Sequence, residues 1–455
     1  GLYTSPHLEH VNERIAIDGQ QLSDDDFVDT WDQIKDLVAM VDMKMEELDK
    51  PKMSFFEVLT AMAIWKFADA PVDVAIVEVG MGGRWDATNV LDADAAIIGP
   101  IDMDHMAWLG NTVEQIASEK VGIIKPGCTA VIGRQPHEEA VMPIIEEAAR
   151  QNHANLVRDG IEAEVVTRIP AVGGQVATLR TPNGTYAEVP IAKFGEHQAH
   201  NALAALCAAE VVIPVNGALD GDLVAEALST VRIPGRIEQI RTSPTIILDG
   251  GHNVNAAESL RAAIEENYDF QQLVGVIAMM GDKQVEEYLG VLEPLLSHVV
   301  VTENSWRDRV MPAEDLKTVA ERVFGAERVT CVPELPDAIQ EAVNMVDADD
   351  ELGVGYGHGV LICGSFTTAG DARLMLEEKV NPDLKKPKSE RVFQEAVEPE
   401  PRKDQDEADL DFESDANPDF DINDFGSVGP DLAEDEAADA SEVEHADAAS
   451  SEDVR

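Results

Sequence analysis

Short apolar runs of strand length alternate with helix-like segments through most of this chain. That alternation restricts the fold to α/β units built on parallel sheets. Three runs occupy the first third of the sequence, at Val72 to Gly80, Asp94 to Gly99 and Thr129 to Gly133. Five more follow the dipeptide Pro234-Gly235, at Thr245 to Gly250, Leu273 to Met280, His298 to Glu303, Val329 to Val332 and Val360 to Ser365. We therefore predict two α/β domains, of which the second is the smaller.

Local signals place the helices and one β-rich segment. Ser54 with Glu57, and Thr112 with Gln115, have the spacing of capping boxes that open helices. Residues about 155–195 alternate in polarity and contain a Pro-Asn-Gly turn at 182–184, which predicts a β-rich insertion. An alanine-rich helix from about 197 to 212 closes the first domain.

Charge and cysteine usage exclude several classes of protein. The 455 residues carry a formal net charge of −54, so nucleic-acid phosphates and anionic membranes are repelled. We expect no nucleic-acid partner, no membrane association and a monomer. Four widely spaced cysteines contain no Cys-x-x-Cys pair, which predicts reduced thiols and a cytoplasmic location: Cys128, Cys207, Cys331 and Cys363.

The C-terminal segment differs in composition from the rest. After residue 380 the chain is rich in Lys and Pro and then in Asp, Glu, Ala and Ser, with 20 acidic residues against one arginine from Asp404 onward. Such a sequence buries too little apolar surface to fold, so we predict a disordered acidic tail over 381–455. A solubilising extension is favoured over an interaction tail.

Chemistry-bearing residues follow two predicted strands of the first domain. Glu78 ends the first strand and precedes a loop with Gly80, Gly82 and Gly83, and His105 follows the second strand. Ligands of open α/β sheets bind beyond the carboxyl ends of the strands. A carboxylate and an imidazole placed there suit a divalent cation, while glycines let the backbone approach a ligand. Each element alone also has a structural explanation, as an ion-pair partner, a core histidine or a turn.

Six motifs in order resemble the folylpolyglutamate synthase and dihydrofolate synthase family of the Mur ligase superfamily. The resemblance covers residues 1 to about 378. Its motifs are Thr4 to Leu8 with Asn12 to Arg14, Glu78 to Asn89, Asp104-His105 with Trp108 to Gly110, Ile116 to Gly127, Pro234 to Arg236, and Asp249 to Asn253.

The resemblance implies a two-step amide ligation. ATP phosphorylates the carboxylate of dihydropteroate, or the terminal γ-carboxylate of a reduced folate, and the amine of L-glutamate attacks the acyl phosphate. Charge builds on the transferred phosphoryl group, so Mg²⁺ and fixed cations are expected to supply most of the catalysis.

The same resemblance implies roles for individual residues. Glu78, His105 and Lys120 are the implied catalytic residues. The two Mg²⁺ ions are held by Ser5, Glu78, His105 and a carbamylated Lys120, because a bare ammonium would repel cations whereas a carbamate offers them an anionic oxygen. The implied ATP-binding residues are Asn201, Arg236, Asp249 and His252. The implied substrate-binding residues are Ser54, Phe55, Phe56, Glu57, Trp85, Asp86, Ala87, His7 and Arg84.

Several of these residues have a competing structural reading. Without the resemblance, Lys120 reads as an exposed helix lysine. The capping box at Ser54 competes with substrate contact, and Asp249 fits a helix N-cap after its strand.

The family's pattern is incomplete in this chain. Nothing matches the phosphate-binding loop Gly-x-x-x-x-Gly-Lys-Ser/Thr, which the family carries before its Ser-Pro-His motif, so we expect that loop to precede Gly1 and a fragment without it to be inactive. Trp85 replaces the usual leucine and Gly251 the usual alanine.

The expected architecture is α/β and Mur-ligase-like. It comprises a P-loop-NTPase-type parallel-sheet domain over 1–236, incomplete at its start, a Rossmann-like glutamate-ligase domain over 237–380, and the tail. Two alternatives remain open at this stage. One is another Mur-type amino-acid ligase, such as a peptidoglycan ligase acting on a UDP-sugar peptide. The other is a non-catalytic folate- or nucleotide-binding remnant.

Overall fold

A computed structural model describes residues 1–103, 106–215, 217–348 and 357–376. The described residues form two compact units. The first contains residues 1–36 and everything described from residue 60 onward, and the second contains Leu37–Leu59. The predicted disordered tail, 381–455, lies outside the described residues. None of the described helices is long and apolar enough to cross a membrane.

The N-terminal segment forms a small four-stranded sheet of order β3-β2-β1-β4. Its strands are β1 (Leu2–Tyr3), β2 (Ile15–Ile17), β3 (Gln20–Gln21) and β4 (Ile76–Val77). Strand β1 pairs antiparallel with β2 and parallel with β4. Helices α1 (Asp24–Glu47) and α2 (Phe55–Asp69) separate β3 from β4 in sequence. The β1–β4 pairing joins residues 74 positions apart, such as Leu2 and Ile76, and sets the first part of the site.

A three-stranded parallel sheet follows, with order β5-β6-β7. Its elements are β5 (Ala95–Ile98), α3 (Met106–Leu109), α4 (Val113–Lys120), β6 (Thr129–Ile132), α5 (Glu138–Gln151) and β7 (Asn155–Arg158). Ile116, Val141 and Ile145 from α4 and α5 are fully buried against Ile98 and Ile132 of the sheet. This packing fixes the position of Lys120 at the end of α4.

An antiparallel sheet of order β10-β9-β8 follows in sequence. Its elements and the two following helices are β8 (Glu164–Ala171), β9 (Gly174–Arg180), β10 (Thr185–Ile191), α6 (Glu196–Val212) and α7 (Gly221–Thr230). The buried carboxylate of Glu210 accepts hydrogen bonds from Thr181 (2.8 Å), Asn183 (3.1 Å) and Tyr186 (2.7 Å). These bonds tie the β9–β10 turn to α6.

A six-stranded sheet of order β11-β12-β16-β13-β14-β15 forms the C-terminal part. Its strands are β11 (Glu238–Thr242), β12 (Thr245–Leu248), β13 (Gln272–Ile277), β14 (His298–Glu303), β15 (Val329–Glu334) and β16 (His358–Cys363). Its helices are α8 (Val254–Asn267), α9 (Val285–Leu292), α10 (Ala313–Phe324), α11 (Leu335–Ala348) and α12 (Phe366–Leu376). Among the described strands of this sheet, only β11 pairs antiparallel, with β12. Apolar clusters cover both faces, as expected for a parallel sheet with helices on each side.

Two contacts connect the antiparallel sheet and its surroundings to the C-terminal part. The Arg168 guanidinium donates to both carboxylate oxygens of Glu266 on α8, at 2.8 and 2.7 Å. Phe194 lies 5.5 Å from Tyr268, and Tyr268 stacks on Phe270 at 5.2 Å between ring centroids.

The predicted α/β architecture with parallel sheets is confirmed, and most predicted strands occur at their expected positions. Three details differ. The run Val72 to Val79 forms only the two-residue β4, with Ile76 62% exposed, because β4 pairs on one side only among the described strands. Residues 155–158 belong to the parallel sheet rather than to the β-rich insertion, and β11 was not predicted.

Candidate active site

The ends of β1 and β4 bring Ser5 and Glu78 together. Tyr3 pairs with Val77, so the residues that follow each strand lie side by side. The Ser5 backbone N–H donates to Glu78 Oε2 at 2.8 Å. Partial desolvation raises the pKa of Glu78 above its usual value, opposed by the Ser5 amide, Arg236 and Arg14. Because Mg²⁺ prefers hard oxygen ligands and keeps several waters, one carboxylate beside a serine fits such an ion.

His105, which is expected to hold the second metal ion, lies outside the described residues, as does Asp104. Within the part of the chain that the structure describes, no group of three or more His, Cys, Asp or Glu side chains is arranged to hold a metal ion. Of the four residues implied to hold metal ions, the structure brings Ser5 and Glu78 together. Lys120 lines a cavity whose lining includes neither of them.

A cavity of about 330 Å³ contains Lys120 and the glycine loop that follows β4. The loop contributes Gly80, Met81 and Gly82, and the C-terminal part contributes Asn253 and Asn255. Asp102 and Gly99, beyond the end of β5, also line it. The cavity thus combines backbone amides, a lysine and amides of two asparagines, which are groups suited to phosphate oxygens.

Close packing holds the glycine loop against the end of α4. A Cβ on Gly83 would lie 2.9 Å from the carbonyl oxygen of Glu119, and one on Gly122 would lie 2.5 Å from Arg84 Cα. The Arg84 backbone N–H donates to the Glu119 carbonyl at 3.0 Å. Both glycines are needed because the backbones touch. The packing sets the loop directly beside Lys120.

Two predicted substrate residues of this loop make structural contacts. The Arg84 guanidinium donates to the Ser118 carbonyl at 3.1 Å, so it anchors the loop to α4. Asp86 accepts from the Met81 amide (2.8 Å) and from the amide and hydroxyl of Thr88 (3.0 and 2.6 Å). Asp86 therefore caps the short 3₁₀ turn Ala87–Val90.

Trp85 lies between these two anchors and is 87% exposed. Ala87 begins the 3₁₀ turn and is half-buried. Their predicted contact with the pterin-bearing substrate stays a prediction. A rigid, exposed aromatic ring is compatible with stacking on a flat heterocycle.

The remaining predicted substrate residues belong to the two units, which are described in turn. In the second unit, the Ser54 amide donates to Glu57 Oε2 (2.7 Å) and the Glu57 amide to Ser54 Oγ (3.3 Å), which confirms the capping box of α2. Phe55 and Phe56 follow, both half-buried. In the first unit, His7 Nδ1 accepts from Arg14 Nε at 3.0 Å.

His7 is neutral in this setting. Burial lowers its pKa, and the positive charge of Arg14 lowers it further. Arg14 itself is 9% exposed and acts electrostatically on Glu78. The sequence motif contained Arg14 without assigning it a role, and the structure places this buried arginine within electrostatic reach of Glu78.

Asp249 connects the two nucleotide-side motifs. Its Oδ2 accepts from the Ile237 amide at 3.0 Å and its Oδ1 from the Gly251 amide at 2.8 Å. Complete burial raises its pKa, opposed by Arg236 and the two amides. The helix N-cap that competed with this assignment is provided by Asn253, which accepts from the Ala256 amide.

Arg236 is the cation at the centre of this region. Its guanidinium lies 5.4 Å from the ring centroid of Phe366, and its charge acts on both Glu78 and Asp249. Among the described residues, none forms a salt bridge or hydrogen bond with that guanidinium. It is therefore available for an anionic ligand between the metal-side and nucleotide-side motifs.

The other predicted ATP residues take separate positions. The His252 Nδ1–H donates to the Gly250 carbonyl at 3.2 Å, and Asn201 lies exposed on α6, donating to Gln198 at 3.4 Å. Tyr288, which the sequence did not indicate, donates from its buried hydroxyl to the Gly251 carbonyl at 3.1 Å. That bond holds the loop that carries His252.

His197 lies beside Arg236 at the start of α6. Burial, Arg236 and His200 lower its pKa to about 4. The imidazole is therefore neutral at physiological pH.

Comparison with solved structures places the fold among ligases. A structure of Mycobacterium tuberculosis folylpolyglutamate synthase complexed with ADP and AMPPCP aligns with a TM-score of 0.78 and 44% identity, covering 83% of this chain and 84% of that one. Escherichia coli FolC in complex with DHPP and ADP aligns with a TM-score of 0.69 and 26% identity, covering 83% and 82%.

Sequence comparison gives the same relatives. The dihydrofolate synthase/folylpolyglutamate synthase of M. tuberculosis is 43% identical over 391 residues, which are 82% of this chain and 80% of that protein. The E. coli enzyme of the same name is 31% identical over 382 residues, covering 83% and 80%.

Two family models match the chain. The Mur ligase middle domain matches residues 31–209, and the Mur ligase glutamate ligase domain matches residues 235–366. With the paired strand ends and the arginine between two motifs, these matches define a Mur-type ligase. At 43% identity over most of both proteins, the chain belongs to the dihydrofolate synthase/folylpolyglutamate synthase family. The relatives favour this family over a peptidoglycan-type ligase.

Proposed function

We propose that this chain is an ATP- and Mg²⁺-dependent ligase that joins L-glutamate to dihydropteroate, to the γ-carboxylate of reduced folates, or to both. The observation that carries the proposal is the convergence of two oppositely charged groups. Glu78, beside Ser5, and Arg236, beside Asp249, come from distant motifs and lie within electrostatic reach of each other.

In the first step, a carboxylate oxygen of the acceptor attacks the γ-phosphorus of ATP, and ADP leaves. In the second, the glutamate amine attacks the acyl carbon, the new amide loses a proton, and phosphate leaves. Bound Mg²⁺ supplies positive charge that neutralises the phosphate oxygens. Arg236 offers a fork of N–H donors to the same oxygens.

Residues of this chain hold and orient the reactants. Ser5 and Glu78 would hold one metal ion, and His105 and a carbamylated Lys120 would hold the second. The glycine loop after β4 provides backbone amides to anionic oxygens in the cavity shared with Lys120. Asn201, Asp249 and His252 serve the ATP side, with Asp249 acting through the two backbone amides that it orders.

The acceptor binds on the side of Trp85 and Ala87. Asp86, His7 and Arg84 are proposed to contribute to that site. In the second unit, Ser54, Phe55, Phe56 and Glu57 are proposed as further substrate-binding residues. The contacts of Arg84, Asp86 and the capping pair support an indirect role for these four residues, in which they hold the loops that meet the substrate.

The remaining assignments concern the molecule as a whole. We propose a domain boundary near residue 236, with a second domain to about residue 380 and the tail beyond it. We also propose a cytoplasmic monomer without nucleic-acid or membrane partners. The four cysteines, none of which forms a disulfide, support the cytoplasmic location.

The test measures ATP consumption by the full-length protein with each acceptor in turn. Dihydropteroate and tetrahydrofolate should each support turnover with L-glutamate, and removal of Mg²⁺ by a chelator should abolish it. Turnover with only one acceptor would reject the bifunctional form. Turnover with a UDP-muramyl peptide instead would overturn the assignment. The intact mass of the protein reports a carbamate on Lys120.

A further inference from the structure

A single arginine on the last described helix connects the metal-side and nucleotide-side motifs. Arg373 of α12 donates from Nη1 to the Glu9 carboxylate and from Nε to Glu238 Oε1 at 3.2 Å. Its two partners are 364 and 135 residues away in sequence. All three side chains are largely buried, with 25% of Arg373, 11% of Glu9 and 22% of Glu238 exposed.

Each carboxylate belongs to a segment that carries a proposed ligand contact. Glu9 follows the segment Ser5 to Leu8. The Glu13 carboxylate accepts hydrogen bonds from the backbone amides of Leu8 and Glu9. The second oxygen of Glu238 accepts from the Gly235 amide at 2.8 Å. The Gly235 carbonyl in turn accepts from the Gly250 amide at 2.7 Å. Arg373 is thus hydrogen-bonded to Glu238, whose other oxygen holds the Gly235 amide next to Arg236.

The charges of this triad make the arginine necessary. One guanidinium faces two largely buried carboxylates, so its removal leaves Glu9 without its cation and Glu238 with only the charge of Lys193 acting on it among the described residues. Helix α12 approaches the same segment closely at Gly370, where a Cβ would overlap the Leu8 carbonyl oxygen. The segment has therefore little room for another arrangement while the triad is intact.

We propose that Arg373 is a positioning residue that holds the Ser5–Glu9 segment and the Gly235–Glu238 turn in one arrangement. It thereby sets where Arg236 stands relative to Ser5 and Glu78. The consequence for nucleotide affinity rests on the proposed function, whereas the ordering of the two segments does not.

Hydrogen exchange of the full chain without ligand tests the ordering. Arg373→Met should speed amide exchange about tenfold in peptides covering residues 5–10 and 234–238, which corresponds to a loss of about 1.4 kcal/mol in local opening energy. Glu9→Gln leaves the Glu238 bond intact, so only the 5–10 peptide should respond. Arg322→Met is the matched control, because that arginine pairs with Glu286 on an exposed surface at 2.7 Å.

Affinity for Mg·ADP tests the consequence for the site. The Kd should rise about tenfold in Arg373→Met and less in Arg373→Lys, which keeps the charge but loses the fork geometry. The double variant Arg373→Met with Glu9→Gln should recover part of the loss, since the carboxylate that has lost its cation is gone.

The outcomes distinguish the ordering of the two segments from its consequence for nucleotide affinity. Unchanged exchange in both peptides of Arg373→Met would overturn the positioning role. Full-length wild-type protein that does not bind Mg·ADP would overturn the proposed function and the affinity consequence, while the exchange data still decide the ordering. If Arg373→Met does not fold, Glu9→Gln and Arg373→Lys carry the same comparison.

Discussion

The surroundings of Glu78 disfavour its ionised form, whereas the proposed metal site requires that form. The protein around its carboxylate raises its pKa, although the residue remains accessible from solvent. A folded-state pKa above the unfolded value means that folding favours the protonated form. Its contribution to stability is therefore fully present below about pH 4.5 and is lost as the pH rises through the raised value. At neutral pH the ionised carboxylate is retained at the expense of stability, as expected for a ligand-binding group.

Replacing Glu78 by glutamine should separate binding from folding. Glu78→Gln removes the ionised group, so Mg·ADP binding and turnover should be lost while the urea midpoint at pH 7 stays equal or rises. Glu139→Gln, an exposed carboxylate on α5, serves as the control and should change neither property. Retained metal-dependent turnover in Glu78→Gln would remove this residue from the metal site.

His197 should make the protein sensitive to acid. Its pKa of about 4 lies below the usual 6.5, so the unfolded state takes up a proton that the folded state refuses. Stability is therefore present above pH 6.5 and declines as the pH falls toward 4, by about 2 kcal/mol at pH 5. His197→Gln should lose less stability between pH 7 and pH 5 than the wild type, as measured by urea unfolding. Parallel losses would contradict the assignment.

Strand ends explain which site residues the sequence could reveal. Glu78 and the glycine loop are found by locating an apolar run and reading the residues after it. Arg373 and Tyr288 could not be found this way, because their partners lie far away in sequence and no local pattern indicates which side chains meet. Asp249 was recognised as a candidate, but its two backbone acceptor bonds depend on a tertiary turn.

At the scale of secondary structure, helix α12 illustrates a glycine required by a neighbouring chain. Replacing an exposed helical glycine by alanine usually raises the free energy of unfolding by about 0.5–1 kcal/mol. Gly370→Ala should instead lose about 1–3 kcal/mol, because the added methyl group meets the Leu8 carbonyl.

Gly290 on α9 provides the matched control for that substitution. It is exposed, and a Cβ there meets nothing within 4 Å. Gly290→Ala should therefore raise the free energy of unfolding measured in urea. Equal gains at both positions would show that α12 and the Ser5–Glu9 segment are not in tight contact.

Strands of the C-terminal sheet were predictable because both of their faces are buried, which produces continuous apolar runs. Strand β11 escaped prediction because an edge strand with alternating polar residues gives a weaker pattern. The run at Val72 to Val79 produced the opposite error, because the predicted strand was longer than the observed one. Its apolar content predicted a long buried strand, but pairing partners, rather than composition, determine how many residues form a ladder.

The charge of the whole molecule sets its response to salt. A net charge of −54 produces self-repulsion in the compact state. Raising NaCl from about 10 mM to about 1 M shortens the screening length from about 30 to about 3 Å, so the thermal midpoint should rise. A sucrose series, which adds no ions, serves as the comparison. A midpoint that falls with NaCl would show that attractive surface ion pairs outweigh the repulsion.

Trp85 gives this acidic molecule an optical reporter. Its indole ring, 87% exposed on a loop anchored by Arg84 and Asp86, should emit at long wavelength and be quenched readily by neutral acrylamide. Iodide should quench it less efficiently, because the surrounding negative potential repels the anion. A flat heterocycle that covers the ring would shield it from both quenchers. Because the chain has four other tryptophans, the difference in quenching between the wild type and Trp85→Phe reports occupancy of the loop after β4, without turnover and without a label.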